Sequence, residues 1–303
     1  MMLAVNLMIA RNPYHLGVVS LIVTLIIWSS YFVALRSGAQ SQLTHFDMAV
    51  LRFILPALVL LPVLYRARSR ILATKKRYLF GIVSGAGLPF YLLSVIASSK
   101  VQAVIGSLLI PGVTPIFVTM IAVIFYRESL SIKRFIGLLA VVVGVSLLVS
   151  AELGSENPQI IGPLLYLLAA VLWAVYTISI RVSALSSLEV AAILNVSAAL
   201  MIAISLPFGA FNSNLTQVSL QEIFPQLLIM GVFCGLISVV TYSNAIKSLG
   251  AELSACWGAL TPVLVAVLAY FLLSEQLSTS SLLAMLIICS GVICANIKRG
   301  VKK

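Results

Sequence analysis

The sequence predicts an all-α integral membrane protein of ten transmembrane helices, arranged as two inverted five-helix repeats. Three observations predict it. The 303 residues are 61% apolar and only 9% charged, ten apolar runs approach the length that crosses a bilayer, and one motif recurs at constant spacing in both halves. A soluble domain carries roughly 25% charged residues to keep its surface in water. The shortfall here leaves lipid as the solvent for most of the outer surface.

A spanning helix needs about 20 predominantly apolar residues to cross a hydrocarbon core of about 30 Å. Such runs fall at 16–36, 46–65, 78–97, 103–125, 134–150, 162–181, 188–208, 224–246, 251–273 and 280–297. Backbone polar groups find no water in lipid, so each run must be a helix or a strand of a closed barrel. Barrel strands alternate polar and apolar residues in short segments, which these runs do not. The apolar stretch Met1 to Ala10 precedes Arg11, whereas a signal peptide carries its positive charge first. It is expected to be an interfacial tail, without cleavage.

Net charge is +11, but its distribution is topological. With ten spans both termini share one side, and assigning that side to the cytoplasm places 16 of the 19 Lys and Arg residues inside. Six of them lie in the loop 66–77, whereas only Arg36 and Lys100 fall outside and Arg52 lies within a span. Such a bias orients proteins with short loops. The sequence therefore predicts a multi-pass protein of the cytoplasmic membrane with both termini inside. Nucleic acid is not expected as a partner, the bilayer is, and oligomeric state is left open.

The repeat is legible in spans four and nine. Ser107-LLIPGV-Thr114-Pro115 runs on to Glu128, and Ser254-ACWGAL-Thr261-Pro262 runs on to Glu275. The offset is 147, with eight identities in 25 ungapped positions, and Gly144 and Gly291 keep it. At an offset of 145, Trp28, Tyr31 and Arg36 match Trp173, Tyr176 and Arg181. Five spans per repeat is an odd number, so the second repeat must enter from the opposite side. The loop charges agree, because the cation-rich loop 66–77 has a partner, 209–223, with no Lys or Arg. Inverted repeats are a recurring architecture of secondary transporters, which bind substrate near the midplane between the repeats.

These residues resemble the drug/metabolite transporter superfamily, in particular EamA-type members with two tandem EamA domains. The repeats cover 16–151 and 161–298. The carrying features are Trp28-Ser-Ser-Tyr31, Arg52-Phe53, and the pairs Pro115/Glu128 and Pro262/Glu275. The chain departs from the family's usual glycine after the first-span Trp, having Ser29 and Ala174, and Ser197 stands at the repeat position of Arg52. The resemblance implies a transporter, expected to be an exporter, of small metabolites, amino acids and related compounds among them; no compound is named by it.

Candidate substrate-binding residues follow from depth and repetition. Thr114-Pro115 and Thr261-Pro262 lie near the middle of their spans, about 15 Å from either edge. Proline bends a helix and frees a carbonyl, which lipid tolerates only where that carbonyl is otherwise satisfied. Two bent helices lining a cavity is one reading, and proline that shapes packing is the other. Trp28/Tyr31 and Trp173/Tyr176 are spaced i, i+3 and share a helix face. Trp28 lies about 18 Å into its span, too deep for an interfacial belt. Tyr91, Tyr242, Asn244 and Trp257 join as further cavity candidates. Arg52 is the ionisable residue well inside a span, roughly 9 Å from its outer edge. A structural cation that snorkels or binds backbone carbonyls is the preferred reading, and a substrate carboxylate binder the other. Glu128 and Glu275 are expected to cap the following helix or bind loop groups.

No Asp, Glu or His falls mid-span, which excludes the paired acids or base–nucleophile sets of an intramembrane enzyme. The P-loop pattern is absent too. Cys234, Cys256, Cys289 and Cys294 form no C-x-x-C pair, and His15 and His45 flank spans without partners at ligand spacing, so neither metal nor cofactor is expected. A channel-like facilitator or lipid scramblase stands as the alternative to a carrier.

Overall fold

The computed structural model describes residues 13–153, 159–208, 212–249, 257–258 and 260–296. The predicted tail Met1–Ala10 and the start of the ninth run, 251–256, lie outside the described residues. The described chain is α-helical, with no strand among the described residues. In order it forms α1 (Pro13–Gln40), α2 (His45–Arg66), the short α3 (Arg68–Ala73), α4 (Lys76–Ala86), α5 (Leu88–Ser98), α6 (Ala103–Tyr126) and α7 (Ile132–Leu153). The second half has α8 (Ile161–Val182), α9 (Ser187–Ser205), α10 (Leu220–Gln226), a π-helical segment Leu227–Ile237, α11 (Ser238–Leu249), α12 (Thr261–Leu273) and α13 (Thr279–Asn296). Among the described residues, eight helical stretches are long and apolar enough to cross a membrane, and Thr261–Leu273 and Thr279–Ala295 are shorter apolar helices.

Local sequence explains where the helices begin. Thr44 caps α2 by accepting from the Asp47 N–H at 3.1 Å, while Asp47 accepts from the Thr44 N–H at 2.9 Å. Ser186 and Glu189 repeat this reciprocal box at the start of α9. Each box satisfies two N–H groups that the first helical turn would otherwise leave unpaired. The box acids also grip the opposite repeat. Asp47 accepts from the Ser213 hydroxyl and the Asn214 N–H, and Glu189 pairs with Arg70.

The third helix of each repeat is irregular. The single run read at 78–97 divides at Gly87, which is extended, because Pro89 sits in the first turn of α5 where its missing N–H costs nothing. Its counterpart, the eighth run, passes through the π segment. Prolines 111 and 115 lie inside α6 without ending it.

Helices α7 and α13 pack backbone against backbone. A Cβ on Gly137 would lie 2.6 Å from the Gly291 carbonyl oxygen, and one on Gly144 would lie 3.1 Å from the Ala284 oxygen. Exchanging the repeats maps one crossing onto the other. Without a hydrophobic drive between helices in lipid, such small residues permit the close contact that holds them.

The interior has two main clusters. One gathers Val104, Leu108, Val141, Tyr166, Val265 and Ile288, and the other Leu35, Phe53, Ile82, Tyr91, Leu194 and Met230. Tyr31 and Trp173 pack against both. Each cluster draws on both repeats, so the seam between the repeats runs through both, and these two side chains, one from each repeat, link them.

Candidate functional site

The aromatic candidates gather into pairs that cross between repeats. Trp28 of α1 lies 4.8 Å from Tyr242 of α11, centroid to centroid, and Trp173 of α8 lies 5.1 Å from Phe90 of α5. Tyr176 extends the second group, 5.0 Å from Trp173. Thr24 and Thr241 share a hydrogen bond of 2.8 Å beside the first. Tilted ring pairs at such separations add about 0.5–1.5 kcal/mol beyond area burial. Trp28, Tyr31, Trp173, Tyr176 and Tyr242 all keep partial exposure. Tyr91 is fully buried, edge-on to Phe53 at 5.4 Å, and its hydroxyl donates to the Met48 carbonyl. Trp257 is 36% exposed. Phe90 was not legible as a partner, since nothing in its sequence position separates it from ordinary core aromatics.

The two proline helices pack against each other. Pro111 and Gly112 of α6 share a small apolar recess with Gly258, Pro262, and Ile288 and Val292 of α13. Pro262 is buried and Pro115 partly so. The repeated threonines differ. Thr114 is buried and donates to the Ile110 carbonyl at 2.6 Å, whereas the buried Thr261 hydroxyl has no hydrogen-bond partner among the described residues.

The repeated charges find each other across the repeats. Arg36, at the end of α1, pairs with Glu275, which follows α12, at 2.9 Å. Arg181, at the end of α8, pairs with Glu128, which follows α6, at 2.6 Å. Each arginine meets the acid of the other repeat. Glu275 does cap a helix as expected of it, but that helix is α6, where the Ala103 N–H donates to its second oxygen at 3.0 Å. Arg36 also donates to the Ser98 carbonyl at 2.6 Å. Because Ala103 starts α6 and Glu128 follows its end, the two pairs sit about 36 Å apart, at opposite ends of the bundle. Helices α1 and α8 therefore run in opposite directions, as inversion requires. The pairs are unequal: side-chain exposure is 15% and 9% for Arg36 and Glu275, but 46% and 43% for Arg181 and Glu128. Both acids follow a residue in the left-handed conformation, Arg127 and Ser274, so the local turn that presents them is the same in each repeat.

A sequence profile of the EamA-like transporter family matches residues 15–150 and 160–297. The chain belongs to this family. An uncharacterized transporter of Archaeoglobus fulgidus is 22% identical over 285 residues, covering 92% of this chain and 96% of the relative. The uncharacterized transporter YdfC of Bacillus subtilis is 28% identical over 151 residues, half of this chain and 48% of that one. A crystal structure at 18% identity superposes with a TM-score of 0.62, covering 93% of this chain and 96% of the other, and shares the fold. This EamA-like transporter is thus a multi-pass membrane protein whose family moves small metabolites, and its aromatic groups and inter-repeat charges lie where two EamA repeats meet.

Proposed function

We propose that the protein is a secondary transporter that exports amino acids or related small metabolites across the cytoplasmic membrane by alternating access. It does so through ten spans, with both termini and the 66–77 loop cytoplasmic. The observation that carries this reading is the unequal pair of inter-repeat ion pairs. Two inverted repeats in identical conformations would open both sides alike, and exchanging unequal conformations converts one open state into the other. The end held by Arg36 and Glu275 is shut by a largely buried pair with two further backbone hydrogen bonds. At the other end Arg181 and Glu128 pair while nearly half exposed. The charge bias puts Arg36 outside, so on this reading the outer end carries the firmer latch and the cytoplasmic end the weaker one. The solute sits between Trp28, Tyr31 and Tyr242 and the group of Trp173 and Tyr176, with Tyr91, Trp257 and the motifs Thr114-Pro115 and Thr261-Pro262 around it.

Counterflow in proteoliposomes tests the reading. A panel of labelled amino acids should include a solute whose uptake saturates and is accelerated by unlabelled solute on the far side. Linear, unsaturable flux unaffected by trans solute would establish a channel-like facilitator instead.

A further inference from the structure

Among the described residues, Arg52 is the cation well inside a span that has no carboxylate partner. It lies in the second turn of α2, partly buried, and its side chain reaches across the seam toward the other repeat. Its guanidinium touches the Asn195 amide oxygen of α9 at a long 3.5 Å and lies 5.0 Å from the centroid of its neighbour Phe53. Among the described residues no carboxylate pairs with it, and one long bond leaves most of its five N–H donors free. Tyr31, Tyr91, Tyr176 and Cys234 all lie within its electrostatic range. Spans from both repeats therefore converge on one positive charge. The π segment approaches at Gly235, where a Cβ would stand 3.1 Å from Arg52 Nη1 and 2.4 Å from Pro56. A glycine there lets the π segment pack directly against Pro56 and beside the guanidinium, where a side chain would clash with both.

We propose that Arg52 anchors the carboxylate of the transported solute, and that the site selects monocarboxylates over the same molecules without the negative charge. The proposal rests on the transport reading above. An unpaired charge at membrane depth is expensive, and intramembrane cations are held by a partner or by a hydrated path that a ligand enters. Planar, forked N–H donors match a carboxylate in two parallel bonds. A dianion such as phosphate would bury one negative charge without compensation, because Arg52 is the one cation among the described residues that stands well inside a span away from its ends. A zwitterionic solute fits with its carboxylate on Arg52 and its ammonium toward the Trp173 and Tyr176 rings, an arrangement that a simple amine, repelled by Arg52, cannot adopt.

The test is ligand-induced thermal stabilisation of the purified protein in detergent. The probes are the common amino acids and short or aromatic monocarboxylates, each beside its uncharged amide, with inorganic phosphate as the dianion. At least one acid should stabilise the wild type while its amide and phosphate do not. Arg52→Gln should weaken that acid by about tenfold or more, the effect of a lost charge-assisted bond, with Arg52→Lys between. The wild-type comparison of acid with amide does not depend on either variant folding. Equal stabilisation by acids and amides, stabilisation by none of the acids, or unchanged acid binding in a monodisperse Arg52→Gln would each overturn the proposal. Saturable, trans-stimulated flux of amines or neutral solutes alone would remove this anchor and leave the transporter standing. Absence of saturable flux for every solute would sink the transport reading itself.

Discussion

Glu275→Gln removes the negative charge that shuts one end of the bundle while keeping the shape of the side chain. Glu275 now serves two donors with separate oxygens, Arg36 Nε at 2.9 Å and the Ala103 N–H at 3.0 Å. An amide can accept from only one of them and turns its own donors toward the other. Breaking a fully buried ion pair costs about 3–5 kcal/mol, and an exposed pair is worth about 0–1 kcal/mol. With 15% and 9% side-chain exposure this pair stands between those limits. The retained hydrogen bond offsets part of the loss, so about 2 kcal/mol is expected. That shifts a two-state equilibrium about thirtyfold toward opening of the Arg36 end. Spin labels on Ser37→Cys and Gln276→Cys, both exposed and flanking the pair, read the opening as an interspin distance in a background without native cysteines. The wild type should give one short distance and Glu275→Gln an added longer population. An identical distribution in folded variant and wild type would refute a latch at this end.

The matching substitution Glu128→Gln breaks a pair that is nearly half exposed, so the ratio of long- to short-distance populations at its own end should change by no more than about fivefold. Trp28→Ala and Trp173→Ala should each weaken solute binding, by up to about thirtyfold where the ring faces a desolvated cation, and unchanged affinity and flux in both would return them to packing. Gly291→Leu should lower thermal stability, because the Gly137 carbonyl oxygen would lie 2.7 Å from its Cβ; an unchanged melting temperature would disprove the tight α7–α13 crossing. Cysteines at positions 40 and 215 should label from outside intact cells and one at position 72 should not; the reverse pattern would invert the topology.

Much of the helical framework was legible because lipid leaves so few choices: a long apolar run must be a helix, and the repeat spacing carries the inversion. The capping boxes Thr44/Asp47 and Ser186/Glu189, which set the starts of α2 and α9, were found only in the structure. The irregularity of the third helix in each repeat was not read from the sequence: Gly87 and Pro89 do carry a break signal inside the run 78–97, whereas the π segment lies in an apolar stretch that carries none. The charges show the boundary most clearly. Arg36, Arg181, Glu128 and Glu275 each appeared as repeat matches, but offsets say which residues are equivalent, not which touch. Only the inverted arrangement brings the arginine of one repeat to the acid of the other. Arg52 was conspicuous by depth, and the lack of a mid-span carboxylate already left it without a counter-ion in the sequence; its neighbours Asn195 of α9 and Gly235 of the π segment, distant in sequence, emerge only from the fold.

Cross-linking each end in turn tests alternating access most directly. With cysteines at 36 and 275, or at 128 and 181, in a background without native cysteines, a reducible bis-maleimide should abolish trans-stimulated solute flux in proteoliposomes. Reduction should restore it in both cases. Flux that persists with either end locked would contradict a cycle in which the two repeats exchange conformations.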